Sequence, residues 1–123
     1  MAVQRLSEND FGTLRNPGVV STQIVWGKNS PEARVTITRV TVDPGAVQAR
    51  HSHDTAEQIW LIEQGSGTLL LADGCTESLA AGDVVRTPAG DVHGLVNDGT
   101  VELVYMSVTT PPQDYSAAYD QND

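Results

Sequence analysis

Residues 45–65 read GAVQARHSHDTAEQIWLIEQG, and this stretch decides the fold. His51 and His53 stand two apart, so on an extended chain both imidazoles project to one side. Over 57–63 the run EQIWLIE sorts by the same period. Gln58, Trp60 and Ile62 share one face, and Glu57, Ile59, Leu61 and Glu63 share the other. The face with two carboxylates suits solvent, and the Gln-Trp-Ile face suits an interior. Working outward, a period of two recurs through segments rich in Val, Ile, Thr and Leu. It predicts strands over 18–26, 34–42, 46–51, 57–63, 67–72, 75–79, 83–87, 92–96 and 100–108. Turn signals lie between them. Asp73-Gly74 and Asp98-Gly99 supply the positive φ angles of tight hairpins. Asp43-Pro44-Gly45 presets another turn, and Gln64-Gly65-Ser66-Gly67 relaxes one more. Short strands at this spacing indicate an all-β sandwich or barrel. A short helical turn after Ser7 is the one helical expectation.

The chain has 123 residues, which predicts a single domain over 1–123 with a core large enough to need no staples. From Thr109 onward the character shifts, because Pro111-Pro112 breaks the last strand. The tail 109–123 reads equally as a frayed end or as a strap over the barrel. The formal charge of −9 disfavours phosphate backbones and anionic membranes, so no nucleic-acid or membrane partner is expected. The single Cys75 excludes an internal disulfide and a CxxC metal knuckle, and reads as an inert small residue. No run approaches the length of a membrane span, and MAVQRLSENDFGT lacks the apolar region of a secretory leader. The expectation is a cytoplasmic protein.

All three histidines fall into two clusters. The first is Gly45, His51, His53, Glu57, Gln58 and Gly65; the second, within 82–97, is Gly82, Pro88, Gly90, His93 and Asn97. Three imidazoles from two neighbouring strands make a metal site. The second cluster reads G-x5-P-x-G-x2-H-x3-N without a gap, a chance match on the order of 1 in 10⁴ or rarer. Other HxH sites fit worse. An HxHxDH hydrolase needs Asp and His where this chain has Thr55 and Ala56. The glycines, Pro88 and Asn97 read as turn and corner residues.

These residues resemble the two motifs of the cupin superfamily, in its small single-domain form. Gly45-x5-His51-x-His53-x4-Gln58-x6-Gly65 matches the first motif except where the family usually has Glu, and the second motif matches at every fixed position. The 16 residues between Gly65 and Gly82 are close to the short spacing of small microbial cupins. The resemblance implies a jelly-roll β-barrel with one divalent transition metal ion (Fe, Mn, Co, Ni, Cu or Zn) at its open end. It implies His51, His53 and His93 as ligands, with Gln58 or Glu57 as the fourth; parity favours Gln58. A neutral fourth ligand leaves the ion's charge uncompensated, which favours anionic substrate oxygens and stronger Lewis acidity.

Cupins span oxygenases, isomerases, cyclases, lyases, decarboxylases and binders, so fold alone does not name the reaction. Some polyketide cyclases and dioxygenases of the family carry Gln at the fourth position. The expected function is a metalloenzyme acting on a small polar or anionic metabolite by Lewis-acid or oxygen-activating chemistry. The alternative is a non-catalytic small-molecule-binding module. Glu57 and a tail tyrosine are the candidate catalytic groups. Trp60, Ile62 and Met106 are candidate pocket residues, although Ile62, Val104 and Met106 also read as core and Tyr105 as outward. Arg39 and Arg86 read as ordinary salt-bridge partners. Small cupins commonly pair through their outer sheets, and Ile59 and Leu61 face outward by parity, so a homodimer is expected.

Overall fold

The computed structural model describes residues 3–122. A single 3₁₀ turn at Glu8–Asp10 follows Ser7, whose backbone N–H donates to Asp10 Oδ2 at 2.8 Å. Eleven strands follow: β1 Gly12–Asn16, β2 Val19–Val25, β3 Thr36–Val42, β4 Val47–His51, β5 Glu57–Gln64, β6 Ser66–Leu71, β7 Thr76–Ala80, β8 Val84–Thr87, β9 His93–Val96, β10 Leu103–Thr110 and β11 Gln121–Asn122. They form a seven-stranded antiparallel sheet in the order β11-β1-β2-β3-β10-β5-β8 and a four-stranded sheet in the order β4-β9-β6-β7. The inner faces enclose a core that includes Val40, Val42, Trp60, Ile62, Leu69, Leu95 and Leu103. This is the expected all-β jelly roll.

All nine strands read from period two are present. The two missed strands, β1 and β11, pair with each other at the sheet margin. GTLRN has one buried large side chain, Leu14, and too little alternation to stand out. The tail is the strap rather than a frayed end. Thr36 Oγ1 donates to the Gln113 carbonyl at 3.2 Å and accepts the Gln113 N–H at 3.0 Å. Asn16 Nδ2 donates to the Ala118 carbonyl, and Asn16 Oδ1 accepts the Asp120 N–H.

Three turns match their reading. Gly45 (φ 85°) follows Pro44, and Ala46 N–H donates to Asp43 O at 3.0 Å, as a type II turn requires. Asp73 and Gly74 both have positive φ. Gly65 has φ 84°, and an added Cβ would stand 2.5 Å from Glu102 O, so only glycine fits where the chain passes between sheets. Asp98-Gly99 departs from expectation. Gly99 is outside the positive-φ set, because β9 and β10 lie in different sheets and form no hairpin. Asn97 Oδ1 instead accepts the Gly99 N–H at 3.0 Å.

On β10 the reading was one residue out of phase. Leu103, Tyr105, Ser107 and Thr109 are buried, whereas Val104, Met106 and Val108 lie half-buried on the outer face. Tyr105 packs against Trp60 with ring centres 4.7 Å apart, and its hydroxyl donates to Gln48 Oε1 at 2.7 Å. Val104, Met106 and Val108 therefore point outward, and Ser107 and Thr109 point inward beyond Leu103 and Tyr105.

Asn97 is fully buried. Its Nδ2 donates to the carbonyls of Val42 (2.9 Å) and Val101 (2.8 Å), and its backbone exchanges hydrogen bonds with the 45–46 turn. Asn97→Ala strands these carbonyls and is expected to cost about 2 to 4 kcal/mol in urea unfolding. Asn97→Asp should be no better, since a carboxylate cannot donate to them. A loss below about 0.5 kcal/mol, the size of an ordinary surface substitution, would contradict this account.

Candidate metal centre

His51 closes β4, His53 follows two residues later, and His93 opens β9. The antiparallel register sets His51 opposite His93. A register shift between Gln48 and His51 bulges β4 toward β9. Gly94 permits this approach, because a Cβ there would lie 2.7 Å from Gln48 O and 2.9 Å from Arg50 N.

One ring nitrogen from each histidine lies within 4.8 Å of the other two. His51 Nε2 and His93 Nε2 are 3.1 Å apart. Two nitrogens bound at right angles to one ion at about 2.1 Å would stand about 3 Å apart, so the spacing suits neighbouring ligands. His51 Nδ1 is 2.8 Å from the Ala49 carbonyl, which only accepts, so the proton sits on Nδ1 and Nε2 presents a lone pair. His53 Nε2 is buried without a hydrogen-bond partner, an atom that an ion would satisfy. Burial, aided by repulsion from His51 and His53, lowers the His93 pKa to about 3. Burial and then His51 lower that of His53. Both are therefore neutral near pH 7, the form that binds metal.

Trp60 stacks on His93 at 4.4 Å and 21°. Its Nε1–H donates to Gln58 Oε1 at 2.7 Å. An indole N–H only donates, so this bond fixes the Gln58 amide: oxygen toward Trp60, nitrogen away. The nitrogen donates to Thr109 Oγ1 (2.9 Å) and to the Tyr115 hydroxyl (2.7 Å). Gln58 is 5% exposed and keeps one lone pair on its oxygen.

His51 and His53 open on a cavity of about 490 Å³. Gln58, Trp60, Tyr105 and Ser107 form its inner wall, Gln48 and Arg50 its rim, and Tyr115 and Tyr119 its cover. Of the candidate pocket residues, only Trp60 lines it. Ile62 belongs to the apolar core. Met106 is displaced by the phase of β10 to the outer face, beside Leu61 and Arg39. Glu57 is also outside, where Arg86 Nε meets its carboxylate at 2.5 Å. Arg39 pairs with Glu63 at 3.5 Å. A larger groove of about 690 Å³ follows the open seam between β7 and β8 and contains none of the histidines. Tyr105, Ser107, Tyr115 and Tyr119 were not individually foreseen as site residues. The shared parity of Tyr105, Ser107 and Thr109 was the available signal, and it was read in the wrong phase.

Two packed antiparallel sheets with an imidazole cluster at one mouth define a jelly roll of the cupin type. The chain belongs to the cupin-domain family Cupin_2, whose family model matches residues 38–109. It is 31% identical over 105 residues to germin-like protein subfamily 2 member 1 of Arabidopsis thaliana, which covers 82% of this chain and 46% of that protein. The chain thus spans about half the length of that relative. Similar solved structures include KdgF from Halomonas sp. (24% identity, TM-score 0.70, covering 80% of this chain and 84% of that one). A predicted oxalate decarboxylase from Thermotoga maritima aligns at 23% identity, TM-score 0.69, covering 76% and 80%. An RmlC-like cupin from Shewanella frigidimarina aligns at 17%, TM-score 0.74, covering 92% and 95%. At these identities the structural likenesses show the fold alone.

A depressed folded-state histidine pKa means that the unfolded chain binds more protons between the two values. For His93 the stability of the metal-free protein is complete above about 6.5 and is lost as pH falls toward about 3. Urea midpoints of metal-free protein should fall across this window, and His93→Gln should flatten the slope. An unchanged slope in the variant would remove His93 as its source.

Proposed function

We propose that this cupin is a metal-dependent enzyme acting on a small polar or anionic metabolite. His51, His53 and His93 hold a divalent transition ion, and Gln58 Oε1 supplies the fourth donor through its remaining lone pair. The observation that carries the reading is the set of three imidazole nitrogens within 4.8 Å, two with depressed pKa values and one buried without a partner. A bound ion supplies Lewis-acid polarisation of a substrate oxygen or, if redox-active, oxygen activation. The protein's own groups do the rest. Burial raises the Tyr115 pKa, so its phenol stays protonated near pH 7 and can donate. Gln58 and Thr109 hold that phenol at the cavity wall. Tyr115 and Tyr119 cover the cavity and limit water.

Purification without chelators followed by elemental analysis should find a divalent transition ion, and its removal should lower Tm. His51→Ala and His93→Ala should each weaken binding by at least about a hundredfold. Gln58→Glu, which adds a charge-compensating carboxylate, should tighten it. Loss of metal on Glu57→Ala but not on Gln58→Ala would place the fourth ligand elsewhere. No micromolar binding by wild type would sink the reading. Tight binding without turnover would favour a non-catalytic module.

We also propose that the protein forms a homodimer through the outer face of β8-β5-β10. Val84, Leu61 and Met106 lie side by side there, and Val84 and Leu61 are 62% and 42% exposed. Light scattering after size exclusion should give a dimer, and Leu61→Lys should give a folded monomer. A wild-type monomer at working concentration would overturn this.

A further inference from the structure

The inward positions of the seven-stranded sheet are unusually polar for a β interior. At one level Gln23, Thr38, Ser107 and Trp60 stand side by side. At the next stand Thr36, Thr109, Gln58 and Thr87. Most of these side chains have partners: Thr36 holds Gln113, Thr87 meets His93, and Thr109 and Gln58 hold Tyr115. Ser107 differs. It is 3% exposed, it lines the cavity, and its Oγ has no hydrogen-bond partner. A buried unpaired hydroxyl costs free energy that alanine would not. Its presence points to an occupant that bonds to it.

Charge narrows the occupant. Among the described residues no Asp or Glu lines this cavity, although the chain has 16; the permanent cation of its lining is Arg50. The exposed Arg50 guanidinium donates to two carbonyls, Leu71 (Nε, 2.7 Å) and Cys75 (Nη2, 3.4 Å). Among the described residues the lining therefore carries a permanent cation and no carboxylate, and its wall sets the hydroxyls of Ser21, Thr38, Ser107 and the tyrosines among apolar Val19, Val40 and Trp60.

We propose that the cavity binds a hydroxylated carboxylate. The carboxylate lies at the histidine end near Arg50, and a hydroxyl reaches Ser107 Oγ. The orientation rests on the metal reading above. The hydroxyl contact rests on Ser107 and the cavity.

The test titrates Mn(II)-loaded protein by calorimetry with gluconate, with hexanoate (the same carbon count and charge, no hydroxyls) and with glucitol (the hydroxyls, no charge). Gluconate should bind and the other two should bind at least about tenfold more weakly. Ser107→Ala should weaken gluconate about tenfold, leave hexanoate unchanged and leave Mn(II) affinity unchanged. Hexanoate or glucitol equal to gluconate, no gluconate binding, or an indifferent Ser107→Ala would each overturn the proposal. Failure of Mn(II), Fe(II) and Zn(II) alone to bind would instead overturn the metal reading. The gluconate comparison in metal-free protein, with and without Ser107→Ala, would then decide the hydroxyl contact on its own.

Discussion

The register between β4 and β9, which places His51 across from His93, is the constraint on which the rest of the site depends. A slip of one residue would turn His93 toward the opposite face. Both ends of β9 are held against such a slip. At the mouth, the bulge after Gln48 fits only because residue 94 has no side chain. At the far end, Asn97 ties the strand to Val42 of β3, to Val101 and to the Asp43–Ala46 turn. Gly94 and Asn97 touch no substrate, yet they position the imidazoles. The place of Asn97 in the second motif, and the glycine that follows His93, both follow from backbone packing rather than chemistry.

From His93 a continuous chain of contacts runs to the tail. Trp60 stacks on the imidazole, Gln58 accepts the indole N–H, and the other end of the amide grips Tyr115. Thr87 completes the surroundings of His93, 2.8 Å from its Nδ1. A hydroxyl donates as well as accepts, so Thr87 serves either location of the His93 proton. With the proton on Nε2, the 3.1 Å contact is a hydrogen bond to the His51 lone pair and Thr87 donates to Nδ1. With the proton on Nδ1, Thr87 accepts it and both Nε2 atoms offer lone pairs. The second arrangement is the ligand-competent one, reached by moving one proton within one ring.

The strand set and the parity of β5 were legible because both are local. Period two needs only neighbours in sequence, and Gln58, Trp60 and Ile62 are buried as that period requires. The His51, His53 and His93 grouping was legible because glycine and proline punctuation fixed the spacing. The tail was not legible: its anchors, Thr36, Asn16, Gln58 and Thr109, lie on strands distant in sequence. The phase of β10 failed for a different reason. Its two parity sets are Leu-Tyr-Ser-Thr and Val-Met-Val-Thr, and hydrophobicity assigns the second to the interior. The structure buries the first.

That inversion follows from what the barrel encloses. A closed core excludes water and rewards Val and Met inside. A barrel that keeps a cavity must line part of its interior with groups that water or a ligand can satisfy. On this sheet the apolar end, with Val42, Leu103 and Ile62, supplies cohesion, and the hydroxyl-rich end gives up burial to shape the site. The apolar side chains displaced from that end appear on the outer face as Val84, Leu61 and Met106. The acidity of the chain follows the same partition. Its carboxylates, exemplified by Glu57 and Glu63 in their arginine pairs, stand on the outside, and the cavity lining holds none among the described residues. A formal charge of −9 is thus compatible with a cavity that holds a cation and no carboxylate, because the carboxylates stand on the outer surface, where water and salt weaken their field at the site.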